Sequence, residues 1–337
     1  MKRKQEQFAY YVTKFFTDHL PKNRALSENT VKSYRDALIL LLQFFQEQLH
    51  ISPDRISYSD FTSDNMESFL QWLENERRNS ASTCNQRHAA IHSFFRYVQY
   101  KDPESFEQSS IVLSVPFRKS APVPMNYMSL DEVKALLEKP DQSTRNGLRD
   151  MAILVILYET AARVQEFIDL KLSSIRFGSP TVITLHGKGE KTRLVPVNGE
   201  ASRILKRYIQ VWNITSPDEP VFTNRKGEKL TRAGIQYIID KHITTVREEH
   251  PEYFTKKITC HSFRHSKAMH LLEAGVNLIY IRDFLGHVSV TTTEIYAKTN
   301  PKIKEKQLIK HSQDLEPHRR YSTKQKNDLL DWLKNTL

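Results

Sequence analysis

Cysteine is nearly absent from this chain. The 337 residues hold two, Cys84 and Cys260, far apart and in no C-x-x-C pair, which argues against a zinc ribbon or a disulfide scaffold and fits a reducing cytosol. Glycine is scarce, at 9 residues, and no G-x-x-x-x-G-K-[ST] phosphate loop occurs. Long apolar runs are missing too. A membrane span needs roughly 18 such residues, and the best run, "MAILVILY", stops at Tyr158. The basic opening "MKRKQEQ" is followed by no signal-type apolar region, so no secretion signal is read and the expected location is cytoplasmic. There is no internal repeat and no low-complexity segment.

Positive charge is in excess, with a formal net charge of +11. Residues 1–103 carry 14 Lys and Arg against 12 Asp and Glu, whereas residues 104–337 carry 36 against 27. The excess therefore sits in the C-terminal two thirds. It suits a polyanionic partner, and a merely basic soluble surface would look the same.

The length suggests two domains. Residues 1–103 read as four helices. The first spaces Phe8, Tyr11, Val12, Phe15 and Phe16 at helical period. Ser27 caps the next, Ser63 opens a third, and Ser80 or Ser82 opens a fourth ending in "IHSFFRYVQY". Residues 104–126 carry Pro116, Pro122 and Pro124 just after Pro103 and read as an extended linker. A region over 127–310 follows. Ser129 and Glu132 form a capping box there, and a helix from about Leu148 to Tyr158 is apolar nearly all round and hence central. "SIRFGSPTVITLHGKGEKTRLVPV" alternates and turns on glycine, which marks a small antiparallel sheet. The expected class is mainly α with that one sheet. Helices are expected over about Ser262 to Ala274, and from a cap at Asn277 to Gly286.

The chemistry-bearing residues crowd into Cys260–Thr299. His261 and Arg264 share one helical face, a spacing that occurs by chance and also fits a solvated face. His261 and His265 have zinc-ligand spacing, but the H-E-x-x-H glutamate is missing and Arg264 stands between them, where a cation repels metal. Arginine forks and histidine donors suit the non-bridging oxygens of a phosphate. A tyrosine beside them can be a nucleophile; Tyr296 taken alone equally reads as a half-buried aromatic.

Five motifs then occur in a set order: Arg163 and Glu166 in "ARVQEFIDL", Lys188 in "HGKGEKTR", His261 and Arg264 in "HSFRH", His287 in "LGH", and Tyr296 in "TTTEIYAK". In this the chain resembles the tyrosine recombinases, phage-integrase-like enzymes that break and rejoin DNA, over nearly its whole length. The resemblance implies a helical, SAM-like core-binding domain over 1–103 and an α+β catalytic domain over 127–310. It implies that Tyr296 attacks a scissile phosphate to form a 3′-phosphotyrosine. Arg163, Arg264 and His287 would bind its oxygens, His261 would take the phenolic proton, and Lys188 would protonate the leaving 5′-oxygen. Glu166 would orient the site. No cofactor, metal or ATP is implied. The implied partners are double-stranded DNA bearing recombination sites, with Lys32 and Arg87 as candidate contacts of the first domain, and three further copies of the chain in a homo-tetramer. A tail helix over 311–337, with Leu329, Leu330, Leu333 and Leu337 on one face, would bury that face against its own catalytic domain or, as the resemblance implies, be exchanged between protomers. The bound protein would associate with the nucleoid.

The sequence departs from the family pattern at Ala161, where glycine is usual and where a positive φ would strain alanine. It departs again at Phe167, which stands where leucine is commoner, and at Lys298, near which a histidine often follows the tyrosine. A type IB topoisomerase-like enzyme and a catalytically silent DNA-binding protein are the alternative readings.

Overall fold

The computed structural model describes residues 2–21, 26–120, 125–187, 191–287, 289, 293, 294, 296, 331 and 334. The chain divides into two compact units, Met1–Val123 and Pro124–Leu337.

The first unit is helical: α1 (Lys2–Lys14) with a π-type turn at Phe15–His19, α2 (Glu28–Gln48), α3 (Ser63–Asn75), α4 (Ala81–Lys101) and α5 (Phe106–Ser114). Side-chain oxygens start three of these helices by accepting orphan backbone N–H groups: Ser27 from Thr30, Thr62 from Asn65, and Ser80 from Thr83. Aromatic rings fill the core. Phe61 meets Phe45 and Phe95 at centroid distances of 4.9 Å each.

Helix α5 corrects the expectation of an extended linker over 104–126. Its Ser109 and Val112 are buried, Gln99 on α4 donates to Ser110 Oγ at 2.9 Å, and Gln108 donates to the Phe61 carbonyl at 3.2 Å. The first part of that stretch is thus packed into the helical unit.

The second unit opens with α6 (Leu130–Glu138), whose capping box of Ser129 and Glu132 is formed. Helix α7 (Arg145–Thr160) is buried along nearly every face. Even its charged pair is inside: Asp150 takes Arg149 at 2.7 Å and His242 at 3.0 Å. The short α8 (Val164–Ile168) follows, then an antiparallel sheet in the order β1 (Ile175–Arg176), β2 (Thr181–His186), β3 (Thr192–Val197). Ile183 pairs with Val195 and Leu185 with Arg193. Helices α9 (Gly199–Trp212), α10 (Arg232–Glu249), α11 (Cys260–Glu273) and α12 (Leu278–Leu285) complete the described elements. A small separate core joins Ala161, Ala268, Met269, Ile281, Leu285 and Tyr296, so the turn after α7, helices α11 and α12, and Tyr296 meet at one place.

Candidate active site

The turn between α7 and α8 sets the first arginine. Ala161 ends α7 in the left-handed region at φ 47° and ψ 34°, and this reverses the chain so that Arg163 opens α8. The Glu166 carboxylate accepts from the Arg163 backbone N–H at 2.9 Å and from its Nη1 at 2.8 Å. Its second oxygen pairs with Arg193 on β3 at 2.8 Å. Glu166 is therefore a buried brace between two guanidiniums. Burial works to raise its pKa, but Arg193 first and Arg163 next outweigh it, and the carboxyl sits below its usual range. Residues Arg193, Val195 and Val197 lie on one face of β3 by alternation, and Leu194 on the other is 68% exposed.

Helix α11 supplies His261, Arg264 and His265. Arg264 is 1% exposed. Its Nη1 donates to the Ala161 carbonyl at 2.9 Å and its Nη2 to the Leu285 carbonyl at 2.5 Å, which ties α11 to the ends of α7 and α12. Burial, and then the charges of Arg163 and Arg193, push its pKa down to about 10; it remains a cation at neutral pH. His261 is exposed at the start of the helix. Surrounding protein and then Arg264 and Arg163 lower its pKa.

Gly286 ends α12 at φ +64° and lies against Arg193: a Cβ there would stand 3.2 Å from Arg193 Cδ. A side chain there would be strained by the backbone and would require Arg193 to shift by a few tenths of an ångström. Arg163 Nη2 donates to the Gly286 carbonyl at 3.2 Å. His287 follows, its Nδ1 3.0 Å from Thr293 Oγ1 and its ring parallel to that of Tyr296 at 6.4 Å between centroids. Burial and then the neighbouring arginines depress His287 to about 4.

Tyr296 is 2% exposed, and its phenol oxygen lies 3.0 Å from His265 Nδ1. Burial raises the phenol pKa, and Arg264 and Arg163 offset part of that rise. Beside this group a cavity of about 640 Å³ is lined by Arg163, Lys191, Arg193 and His287, with Asp283 as its carboxylate. Three strong cations and a histidine around one opening suit a phosphodiester.

Arg163, Glu166, Arg264, His287 and Tyr296 thus share one neighbourhood, and His261 sits a helical turn before His265. Lys188 and most of the expected tail helix lie outside the described residues. Lys32 and Arg87 belong to the first unit, on α2 and α4. Lys32 is exposed, 4.0 Å from Glu28, whereas Arg87 is half-buried and its Nη1 has no hydrogen-bond partner among the described residues. Two site residues escape motif reading: Arg193 and His265. An arginine at an inward position of a strand is the signal for the first. His265 completes H-x-x-R-H, a pattern that sequence reading weighs only as a metal site.

The model of the phage integrase family matches residues 126–302, and that of the phage integrase N-terminal SAM-like domain matches residues 14–101. A putative integrase/recombinase of Sinorhizobium fredii is 34% identical over 310 residues, 92% of this chain and 93% of the relative. The tyrosine recombinase XerD of Listeria monocytogenes is 32% identical over 287 residues, covering 83% and 91%. Among solved structures, the Tn1549 transposon integrase in complex with transposon right-end DNA aligns with a TM-score of 0.69 at 16% identity, over 88% of this chain and 98% of that one. The XerH site-specific recombinase bound to palindromic difH substrate aligns at 0.67 and 22%, over 86% and 82%. These two share the fold.

Proposed function

Because the chain belongs to the phage integrase family of tyrosine recombinases, which are site-specific DNA recombinases, we propose that it cuts and rejoins DNA through Tyr296. The phenol oxygen attacks a scissile phosphorus, the bond to the 5′-oxygen breaks, and a 3′-phosphotyrosine and a 5′-hydroxyl result. The phenolic proton goes to His261 on α11, while His265 contacts the phenol oxygen at 3.0 Å. Lys188 gives a proton to the departing 5′-oxygen, a strong base that needs an acid. Arg163 and Arg264 with His287 stabilise the charge that grows on the non-bridging oxygens, the arginines doing what a metal ion does elsewhere. Glu166 orients Arg163. The phosphotyrosine conserves the bond energy, so no ATP is required, and the arginines supply the charge for which a metal ion would otherwise be needed.

The helical unit and the catalytic unit bind duplex DNA together, residues 1–103 acting as the core-binding domain and 127–310 as the catalytic domain. Exchange of four strands between two duplexes through a Holliday junction calls for four protomers, with the tail over 311–337 docking on a neighbour. Lys32 and Arg87 are candidate phosphate contacts.

The observation that carries the reading is the single neighbourhood of Tyr296, His265, His287 and the Arg163–Glu166 pair. The test uses labelled duplex with a nick beside the crossover site, in excess EDTA. Wild-type protein is expected to become covalently attached to DNA on a denaturing gel. Tyr296→Phe should bind the DNA and give no attachment. Attachment by Tyr296→Phe, or an absolute need for added metal, would overturn the reading.

A further inference from the structure

Glu166 poses an electrostatic problem for the site. Its side chain is 4% exposed, and its Oε1 accepts from Arg163 Nη1 at 2.8 Å. A carboxylate placed there orients the guanidinium and at the same time cancels its charge. An arginine so cancelled would hold a phosphate by hydrogen bonds alone. A second cation stands on the other oxygen. Arg193 Nη2 lies 2.8 Å from Glu166 Oε2, on a side chain that is itself only 10% exposed. Neither its Nε nor its Nη2 makes an aligned hydrogen bond among the described residues, so what Arg193 gives Glu166 is charge more than geometry.

We propose that Arg193 compensates Glu166, so that the carboxylate can orient Arg163 without removing a positive charge from the phosphate site. The inference rests on the reading of Tyr296 as nucleophile and Arg163 as phosphate ligand. Arg193 is then a positioning residue that acts through Glu166. Arg163, Arg193 and Arg264 stand against Glu166 alone, which leaves two positive charges. The histidines add none near neutral pH. Burial first and then neighbouring charges hold His287 and His265 at about 4 and lower His261 as well. At the cavity's edge Asp283 is paired with Arg282 at 2.6 Å, and Lys191 is exposed, where solvent screens its charge. A phosphodiester carries one negative charge and its pentacovalent transition state carries two. Two positive charges therefore favour the transition state over the bound substrate, which is the condition for catalysis. Without Arg193 the site keeps one, and it matches the ground state instead.

The packing holds Arg193 to this task. It points from β3 to the inner face of the sheet, and its stem runs past Gly286, with Cδ only 3.2 Å from where a Cβ of that glycine would stand. Gly187, just after β2, does the same for the carboxylate: a Cβ there would lie 3.2 Å from Glu166 Oε1. Two missing side chains thus let the sheet and the turn after α12 close around one carboxylate. The field of Arg193 also reaches the groups that face the phosphate. After burial and the other arginines, it is a further cause of the depressed pKa values of Arg264 and His287, and Glu166 acts on Arg264 in the opposite sense.

Single-turnover attachment to the nicked duplex, with protein in excess, reads the chemical step apart from DNA affinity. Arg193→Gln is expected to bind DNA and to attach roughly 10²-fold more slowly. Arg193→Lys keeps the charge without the planar fork and should keep most of the rate. Adding Glu166→Gln to Arg193→Gln returns the site to two positive charges, while the amide oxygen still accepts from Arg163. This double variant should recover most of the loss, whereas a merely structural Arg193 would make it slower still. A double variant no faster than Arg193→Gln would overturn the proposal, as would an Arg193→Lys as slow as Arg193→Gln. Circular dichroism of each variant separates misfolding from chemistry. Should Arg193→Gln fail to fold, the double variant, which buries no unpaired carboxylate, carries the test. Its rate should lie within about tenfold of that of Arg193→Lys, and a larger deficit would sink the idea. Attachment by Tyr296→Phe would instead refute the underlying nucleophile assignment.

Discussion

Ala161 carries a conformational cost at the centre of the site. An L-residue in the left-handed region is disfavoured by roughly 1–2 kcal/mol, and at φ 47° this alanine is also fully buried. Its carbonyl holds Arg264 at 2.9 Å, so the turn keeps its shape through that bond and the packing of Ala268 and Leu285. Glycine would remove the strain but give the unfolded chain more freedom, a loss of about 0.4–1 kcal/mol. Ala161→Gly is therefore expected to stabilise the protein by a net ~0.5–1 kcal/mol, raising the melting temperature by about 1–4 °C. A lower melting temperature would mean that the methyl group's packing outweighs the strain. At this scale the site is legible in sequence where spacing is local, as for Arg163 with Glu166 or His261 with Arg264. Arg193 and His265 have partners distant in sequence. Only the folded chain brings Glu166 and Tyr296 to them.

Among the elements, α4 does two jobs: it packs the helical core and holds the chain that leaves it. Asn85 Nδ2 donates to the Arg118 carbonyl at 2.8 Å, and the Arg118 N–H donates back to Asn85 Oδ1 at 2.8 Å. The Arg118 guanidinium reaches Glu67 at 2.7 Å and Glu74 at 3.3 Å. Phe117 covers the buried rings of His88 and His92 at 4.9 and 5.1 Å. The strap is fixed to the unit as far as Arg118. Asn85→Ala removes two hydrogen bonds, about 1–2 kcal/mol of local stability. Trypsin cleavage after Arg118 and Lys119 should then accelerate by roughly 5- to 30-fold, since cutting follows local opening. An unchanged cleavage pattern would mean that the ion pairs alone hold the strap. The caps at Ser27, Ser80, Ser129 and Asn277 are legible because each is a short polar side chain just ahead of a periodic run. Helix α5 is not legible, because the flanking prolines suggest a break. Pro103 stands at the start of a 3-10 turn, where its missing N–H costs nothing, and Pro116 lies beyond the last helical residue. They bracket the helix instead of interrupting it.

At the scale of the whole molecule, the two units differ in core composition and in net charge. Aromatic and aliphatic residues share the helical unit's described core about equally, whereas aliphatic residues dominate that of the second. Residues 1–123 hold 16 Lys and Arg against 14 Asp and Glu, and residues 124–337 hold 34 against 25. Phosphate contacts make DNA affinity fall with salt by a logarithmic slope of about −0.9 per phosphate neutralised. If both units clasp DNA, the near-neutral helical unit contributes contact area and shape, while the second contributes most of the ionic term. A fragment of residues 124–337, with its own core, is then expected to give a shorter footprint and weaker binding than the full chain. It should nevertheless keep more than half of the full salt slope. Titrations of both proteins on one duplex across a salt series measure this directly. A slope that collapses in the fragment would move the ionic anchor to the helical unit and to residues such as Lys32 and Arg87. An unchanged footprint would remove the helical unit from the DNA altogether.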